Sequence, residues 1–206
     1  LDVEYYARKK ETLLILLHGL EGNAKSSYMT GMAKRALVEN WDVLAVNYRG
    51  CSGEDNLLFK SYHSGKSDDL QCVIDYLPNI GNFKNILLVG FSIGGNIALK
   101  YLGEREVKEN EIKAAVAVSV PCDLEGAANM LAKKSAGIYM KRFLKSLQQK
   151  ALGKMKLYPD CGIGEQEIKA CRNFYDFDNL YTAPAHGYKN AADYWFNNSS
   201  LHFLDR

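Results

Sequence analysis

One five-residue stretch, Gly90-Phe91-Ser92-Ile93-Gly94, limits what this chain can fold into more than any other. It follows the apolar run Ile86-Leu87-Leu88-Val89, which predicts a strand, and precedes residues 95–102, which predict a helix. A serine with a glycine two places away on each side, set between strand and helix, specifies a turn that strains the serine backbone. Larger side chains at Gly90 and Gly94 would strike neighbouring elements. The turn lifts the Ser92 hydroxyl clear of the sheet edge and aims the Ile93 N–H at the place where an attacked carbonyl oxygen gains charge. Ser92 is the candidate nucleophile and Ile93 a candidate oxyanion donor.

A second apolar run, residues 12–17, lacks polar alternation, as expected of a strand buried on both faces of a parallel sheet. It ends in His18-Gly19-Leu20-Glu21-Gly22. His18 is read as a structural histidine that satisfies loop carbonyls. The stretch from Gly19 to Ser26 also approaches the phosphate-binding pattern G-x-x-x-x-G-K-[ST], but Ala24 replaces its second glycine. No apolar strand runs into the aspartate that would help to hold magnesium: residues 43–46 lead to Asn47 and residues 86–89 to Gly90. Nucleotide hydrolysis is therefore the weaker alternative. Asn23, Ser26 and Ser27 are expected to cap the helix that follows.

Strand and helix patterns alternate to about residue 120. Helices are expected over 27–39, 67–77 (stopped by Pro78) and 95–102 (closed by Gly103), with further strands over 43–47 and 114–120. Residues 104–111 read as a charged surface loop. Alternation of this kind implies an α/β fold, a mostly parallel sheet with helices on both faces and ligands at the carboxyl ends of the strands. Residues 1–121 are expected to form that core and residues 122–206 a helical cap or lid.

The second segment differs in charge. Residues 126–159 hold no acidic side chain but eight basic ones: Lys133, Lys134, Lys141, Arg142, Lys145, Lys150, Lys154 and Lys156. Met140, Phe143 or Leu144, Leu147 and Ala151 recur at helical spacing. The plain reading is a helix packed on the domain with a solvated basic face. The other is weak contact of segment 133–156 with an anionic membrane surface. Residues 157–206 are rich in aromatics, which points to packing.

Bulk properties exclude more than they assign. The net charge of +2 over 206 residues favours no particular partner, and no nucleic-acid partner is expected. No run approaches the roughly 18 apolar residues of a membrane span. Five cysteines without a C-x-x-C pair fit reduced thiols in a cytoplasmic protein, and four scattered histidines imply no metal site.

Taken together, these motifs resemble the α/β-hydrolase superfamily, and within it the YheT-like branch related to abhydrolase-domain lipases and esterases. The shared elements are residues 18–22, Asn47-Tyr48-Arg49-Gly50-Cys51-Ser52-Gly53, His63-Ser64-Gly65 leading to Asp68-Asp69-Leu70, residues 90–96, Val120-Pro121-Cys122-Asp123-Leu124, and the stretch from Asp178 to Ser199. The resemblance implies the α/β-hydrolase fold and hydrolysis of carboxylic esters or acyl lipids through an acyl-enzyme on Ser92, without cofactor. It implies that the 18–22 loop donates the second oxyanion N–H, from Leu20. It also implies a catalytic acid and histidine later in the chain than Arg206, so that the last core strands are expected to be missing here. Within the chain, Asp123 with His186 or His202 is the weaker substitute. A binding or scaffold protein of the same shape is the alternative function.

Overall fold

The computed structural model describes residues 1–105 and 112–205. The apolar runs become the middle of a five-stranded sheet: β1 (Asp2–Tyr6), β2 (Thr12–Leu17), β3 (Asp42–Asn47), β4 (Asn85–Phe91) and β5 (Ile112–Val118), in the order β1-β3-β2-β4-β5. β2 lies between β3 and β4, parallel to both, with Ile15 opposite Leu44 on one side and Leu88 on the other. From Leu13 to Leu17 every side chain is buried, so this strand shows the unbroken apolar run of a two-sided core. Each fully buried leucine or isoleucine contributes about 1.5–3 kcal/mol.

Helices α1 (Ser27–Val38), α2 (Ser67–Tyr76) and α3 (Ile93–Glu104) connect the strands. Met29, Ala33 and Ala36 of α1 cover Leu14, Leu16, Val43 and Ala45 on one face. Side chains alternate along a strand, so Leu13, Ile15 and Leu17 point to the opposite face. The parallel strands thus run their carboxyl ends, and the loops after Leu17, Asn47, Phe91 and Val118, to one edge of the sheet.

The structure adds one strand and moves several details. β1 pairs antiparallel with β3, and its half-exposed Val3–Glu4–Tyr5 stretch is short and flanked by charge. Its anchor is buried Asp42, which accepts N–H bonds from Arg8 and Lys10 at 2.9 and 3.0 Å and the Tyr5 hydroxyl at 2.5 Å. Burial, and then that bond to Asp42, push the Tyr5 phenol up to about 12. Helix α3 runs on through Gly103 to Glu104, so Gly103 is not a cap. A Cβ there would meet Phe203, whose backbone packs directly on it. Ser26 holds the N-cap position of α1, but its hydroxyl serves the preceding turn, accepting from the Asn23 N–H at 3.1 Å. Asn23 Oδ1 in turn accepts from the Lys25 N–H at 2.9 Å. Pro78 sits inside a short 3₁₀ turn, Leu77–Asn79, that continues from α2. Of the charged loop expected over 104–111, Glu104 is helical and ion-paired with Lys100; residues 106–111 lie outside the described residues.

The chain separates into two units. The sheet unit comprises Leu1–Asp55, Ser64–Cys122 and Ser199–Arg206; the helical unit comprises Asn56–His63 and Asp123–Asn198. The helical unit contains α4 (Leu124–Leu131), α5 (Gly137–Leu157), α6 (Glu165–Ala170), α7 (Phe174–Phe177), α8 (Ala183–His186) and α9 (Ala191–Asn198). A single π turn, Asp178–Thr182, joins α7 to α8. Leu144, Ala151, Ile168, Cys171, Phe177 and Tyr181 form one of its apolar clusters, and Leu124, Ala128, Ala183, Ala191, Tyr194 and Trp195 another. The stretch 56–63 is held there by backbone carbonyls: Lys154 bonds Asn56, Tyr158 bonds Leu57, and Tyr181 bonds Phe59 at 2.8 Å.

Candidate active site

The turn between β4 and α3 sets the site. Ser92 has φ +52° and ψ −122°, outside the regions open to an L-residue without strain. Its N–H donates to the Val118 carbonyl at 2.9 Å, which pins the turn to the end of β5. The flanking glycines are required by contact. A Cβ on Gly90 would lie 2.5 Å from the Gly95 nitrogen, and one on Gly94 would lie 2.7 Å from the His18 oxygen. Ile93 is the first residue of α3, so its N–H has no partner inside the helix.

The loop after β2 lies directly against this turn. A Cβ built on Gly19 would be 3.3 Å from the Ser92 Cβ. Gly22 closes the loop with an N–H bond to the Gly19 oxygen at 3.0 Å, around Glu21 at φ +56°. Leu20 is therefore carried on a tight turn next to Ser92. His18 is fully buried, and its Nε2 accepts the Tyr48 N–H at 3.2 Å. That leaves the proton on Nδ1, 2.7 Å from the Gly19 oxygen. His18 thus braces two loops.

Sequence reasoning missed Tyr28. Its hydroxyl accepts the Gly19 N–H at 3.0 Å and its ring lies 4.8 Å from that of Phe91, so it clamps the 18–22 loop to the turn. No local pattern marks it, because both partners are distant in sequence. Three further polar residues fix the surrounding loops. Asn47 Oδ1 accepts the Ala24 N–H at 2.8 Å. Asn96, fully buried, donates to the Ser64 oxygen and accepts the Ser200 N–H, each at 2.8 Å. Arg49 forks onto Asp69 at 2.8 and 2.5 Å, and that bond raises the Arg49 pKa further.

The other sequence candidates have separate tasks. Asp123 caps α4, its Oδ1 accepting the Gly126 N–H at 3.0 Å. His186 packs edge-on against His63, ring centres 4.5 Å apart, inside the helical unit. His202 is exposed on a 3₁₀ turn. Lys25 is exposed and pairs with Glu4 at 3.4 Å, while the Ala24 N–H points to Asn47; this stretch is not arranged as a phosphate cradle. Among the described residues no three His, Cys, Asp or Glu side chains form a possible metal site. The helical unit holds an open cleft of about 800 Å³, lined in part by Phe59, Tyr158, Cys161, Leu180 and Pro184.

The chain is similar to several known proteins. The profile of the alpha/beta hydrolase fold family matches residues 12–206. "Putative esterase YheT" of Escherichia coli (strain K12) is 34% identical over 194 residues, covering 94% of this chain and 57% of that protein. "Monoacylglycerol lipase" of Saccharomyces cerevisiae is 32% identical over 199 residues, covering 91% and 43%. The chain spans about half the length of these curated relatives. The esterase Pf2001 of Pyrococcus furiosus superposes with a TM-score of 0.53 at 25% identity, covering 62% of this chain and 51% of that one. The chain therefore belongs to the α/β-hydrolase family, in its YheT-like branch.

Proposed function

We propose that this protein hydrolyses carboxylic esters, acyl lipids among them, through an acyl-enzyme on Ser92. The observation that carries the reading is the strained backbone of Ser92 in a turn that abuts the loop bearing Leu20. A fold retains such strain where the conformation is put to use. The esterase and lipase names of the relatives support the same chemistry.

In the reaction the Ser92 oxygen attacks the ester carbonyl carbon while its proton passes to a histidine base. His18 cannot fill that role, since both of its ring nitrogens are engaged in loop contacts. The N–H groups of Leu20 and Ile93 hold the oxygen that becomes negative, and the alcohol leaves with the transferred proton. Water then attacks the acyl-serine and releases the acid. An oxyanion donor of this kind contributes roughly 100- to 1000-fold to the rate.

The test is steady-state hydrolysis of a p-nitrophenyl ester series by the full-length protein and its Ser92→Ala variant. The reading predicts loss of turnover by three orders of magnitude or more, with folding unchanged. An alanine variant as fast as the parent would refute it. Absence of turnover in the parent with retained ester binding would favour a scaffold.

A further inference from the structure

The basic segment of the helical unit is sorted by side. At 100° per residue, Ile138, Lys141, Arg142, Lys145, Gln149 and Lys156 fall within about 60° of one line along α5. All six are exposed. The opposite face carries Met140, Leu144, Leu147 and Ala151, which are buried or half-buried, with Leu144, Leu147 and Ala151 in the cluster around Ile168. Two of the eight basic residues are turned inward to other work: Lys154 bonds the Asn56 carbonyl, and Lys150 lies over the Tyr62 ring. Lys141, Arg142 and Lys145 form no ion pair among the described residues.

This arrangement is unfavourable for the helix on its own. Lys141 and Lys145 are four residues apart and Arg142 and Lys145 three, so like charges face one another. At the head of the same face, Ile138 is 84% exposed. An isoleucine projecting among cations has no counterpart in the polar backbone of a nucleic acid and suits a surface with anionic headgroups over hydrocarbon. No helix among the described residues is long and apolar enough to cross a membrane.

We infer that the α5 face of Ile138, Lys141, Arg142 and Lys145 docks on an anionic phospholipid bilayer, the cations meeting headgroup phosphates and Ile138 entering the acyl boundary. This surface is independent of Ser92 chemistry. The experiment is co-sedimentation of the full-length protein with vesicles of phosphatidylcholine alone and of phosphatidylcholine with phosphatidylglycerol, over a salt series. Binding is expected only to the anionic vesicles and should weaken as salt rises. Replacing Lys141, Arg142 and Lys145 together by Gln should weaken binding roughly 100-fold, about fivefold per cation. Ile138→Ser should weaken it roughly tenfold. Ser92→Ala should bind as the parent does, which separates docking from the catalytic reading. Far-UV circular dichroism checks that the surface variants stay folded. Equal binding to both vesicle types, no binding to either, or full binding by the triple Gln variant overturns the inference. So does Ile138→Ser binding undiminished while short duplex DNA binds equally well, which would make the face a general polyanion site.

Discussion

Replacing Ser92 by glycine should make the protein inactive and more heat-stable, whereas alanine should make it inactive only. The difference isolates the backbone. At φ +52° and ψ −122° a residue with a Cβ carries strain of about 1–3 kcal/mol. Alanine keeps the Cβ and therefore the strain. Glycine removes the strain but loosens the unfolded chain, at a cost of about 0.4–1 kcal/mol. The net gain is roughly 1 kcal/mol, and up to about 2 kcal/mol where the strain is at its upper end. For a chain of this size each kcal/mol moves Tm by about 2–4 °C, so Ser92→Gly should melt roughly 2–8 °C above Ser92→Ala. Both variants keep the residue-92 N–H bond to Val118, so that contact cancels in the comparison. Differential scanning calorimetry on the parent and the two variants provides the measurement, with ester hydrolysis run in parallel. Equal melting of the glycine and alanine variants would hold the strain at residue 92 to the entropic cost of glycine, about 0.4–1 kcal/mol, too little to mark a conformation held in reserve for chemistry.

Two other substitutions test separate parts of the structure. Gly94→Ala places a methyl 2.7 Å from the His18 oxygen, against backbone that cannot yield, and should cost about 1–3 kcal/mol or more in urea unfolding. Gly153→Ala, in α5 with nothing within 4 Å, should stabilise by about 0.5–1 kcal/mol; equal effects at the two sites would contradict the contact argument. Asp178 is half-buried and accepts the Trp195 Nε1–H at 2.9 Å, and desolvation of its carboxyl raises the pKa to about 6. Between about pH 4 and 6 the folded chain keeps a proton that the unfolded chain releases, so its contribution to stability is present at pH 4 and is lost as pH rises through 6. The total is roughly 3 kcal/mol. Asp178→Asn retains an acceptor for Trp195 and cannot ionise, so parent and variant should differ little near pH 4 and the variant should become the more stable by pH 7.5. A parent–variant difference that stays constant with pH would contradict the assignment.

Much of this architecture is legible in the sequence, for physical reasons that also mark where reading fails. β2, β3 and β4 are covered on both faces through their middles, so each is apolar over four or more consecutive residues and is visible as a run. The turn at Ser92 is visible because only glycine fits at Gly90 and Gly94, which crowd other backbone atoms. β1 is an edge strand exposed along much of its length, with Asp2 and Glu4 in it, and gives no run. Its anchor, Asp42, acts across more than 30 residues. Gly103 looks like a helix stop because glycine commonly is one, whereas here it lets Phe203 pack close. Ser26 satisfies the cap rule by position, yet its hydroxyl is taken by Asn23. Tyr28, and the attachment of residues 56–63 to the helical unit, depend on contacts between distant residues and leave no local mark. In α5 the apolar repeat reveals which side is buried, but only the structure shows Ile138 standing out among the cations.

The central claim is that Ser92 is an activated nucleophile. The direct measurement is treatment of the full-length protein with a fluorophosphonate, followed by peptide mass spectrometry. The account predicts a single phosphonyl adduct on the peptide containing residues 90–94, assigned to Ser92 and absent from Ser92→Ala. An adduct elsewhere that persists in the alanine variant, or an unlabelled Ser92 in protein that turns over esters, would contradict it.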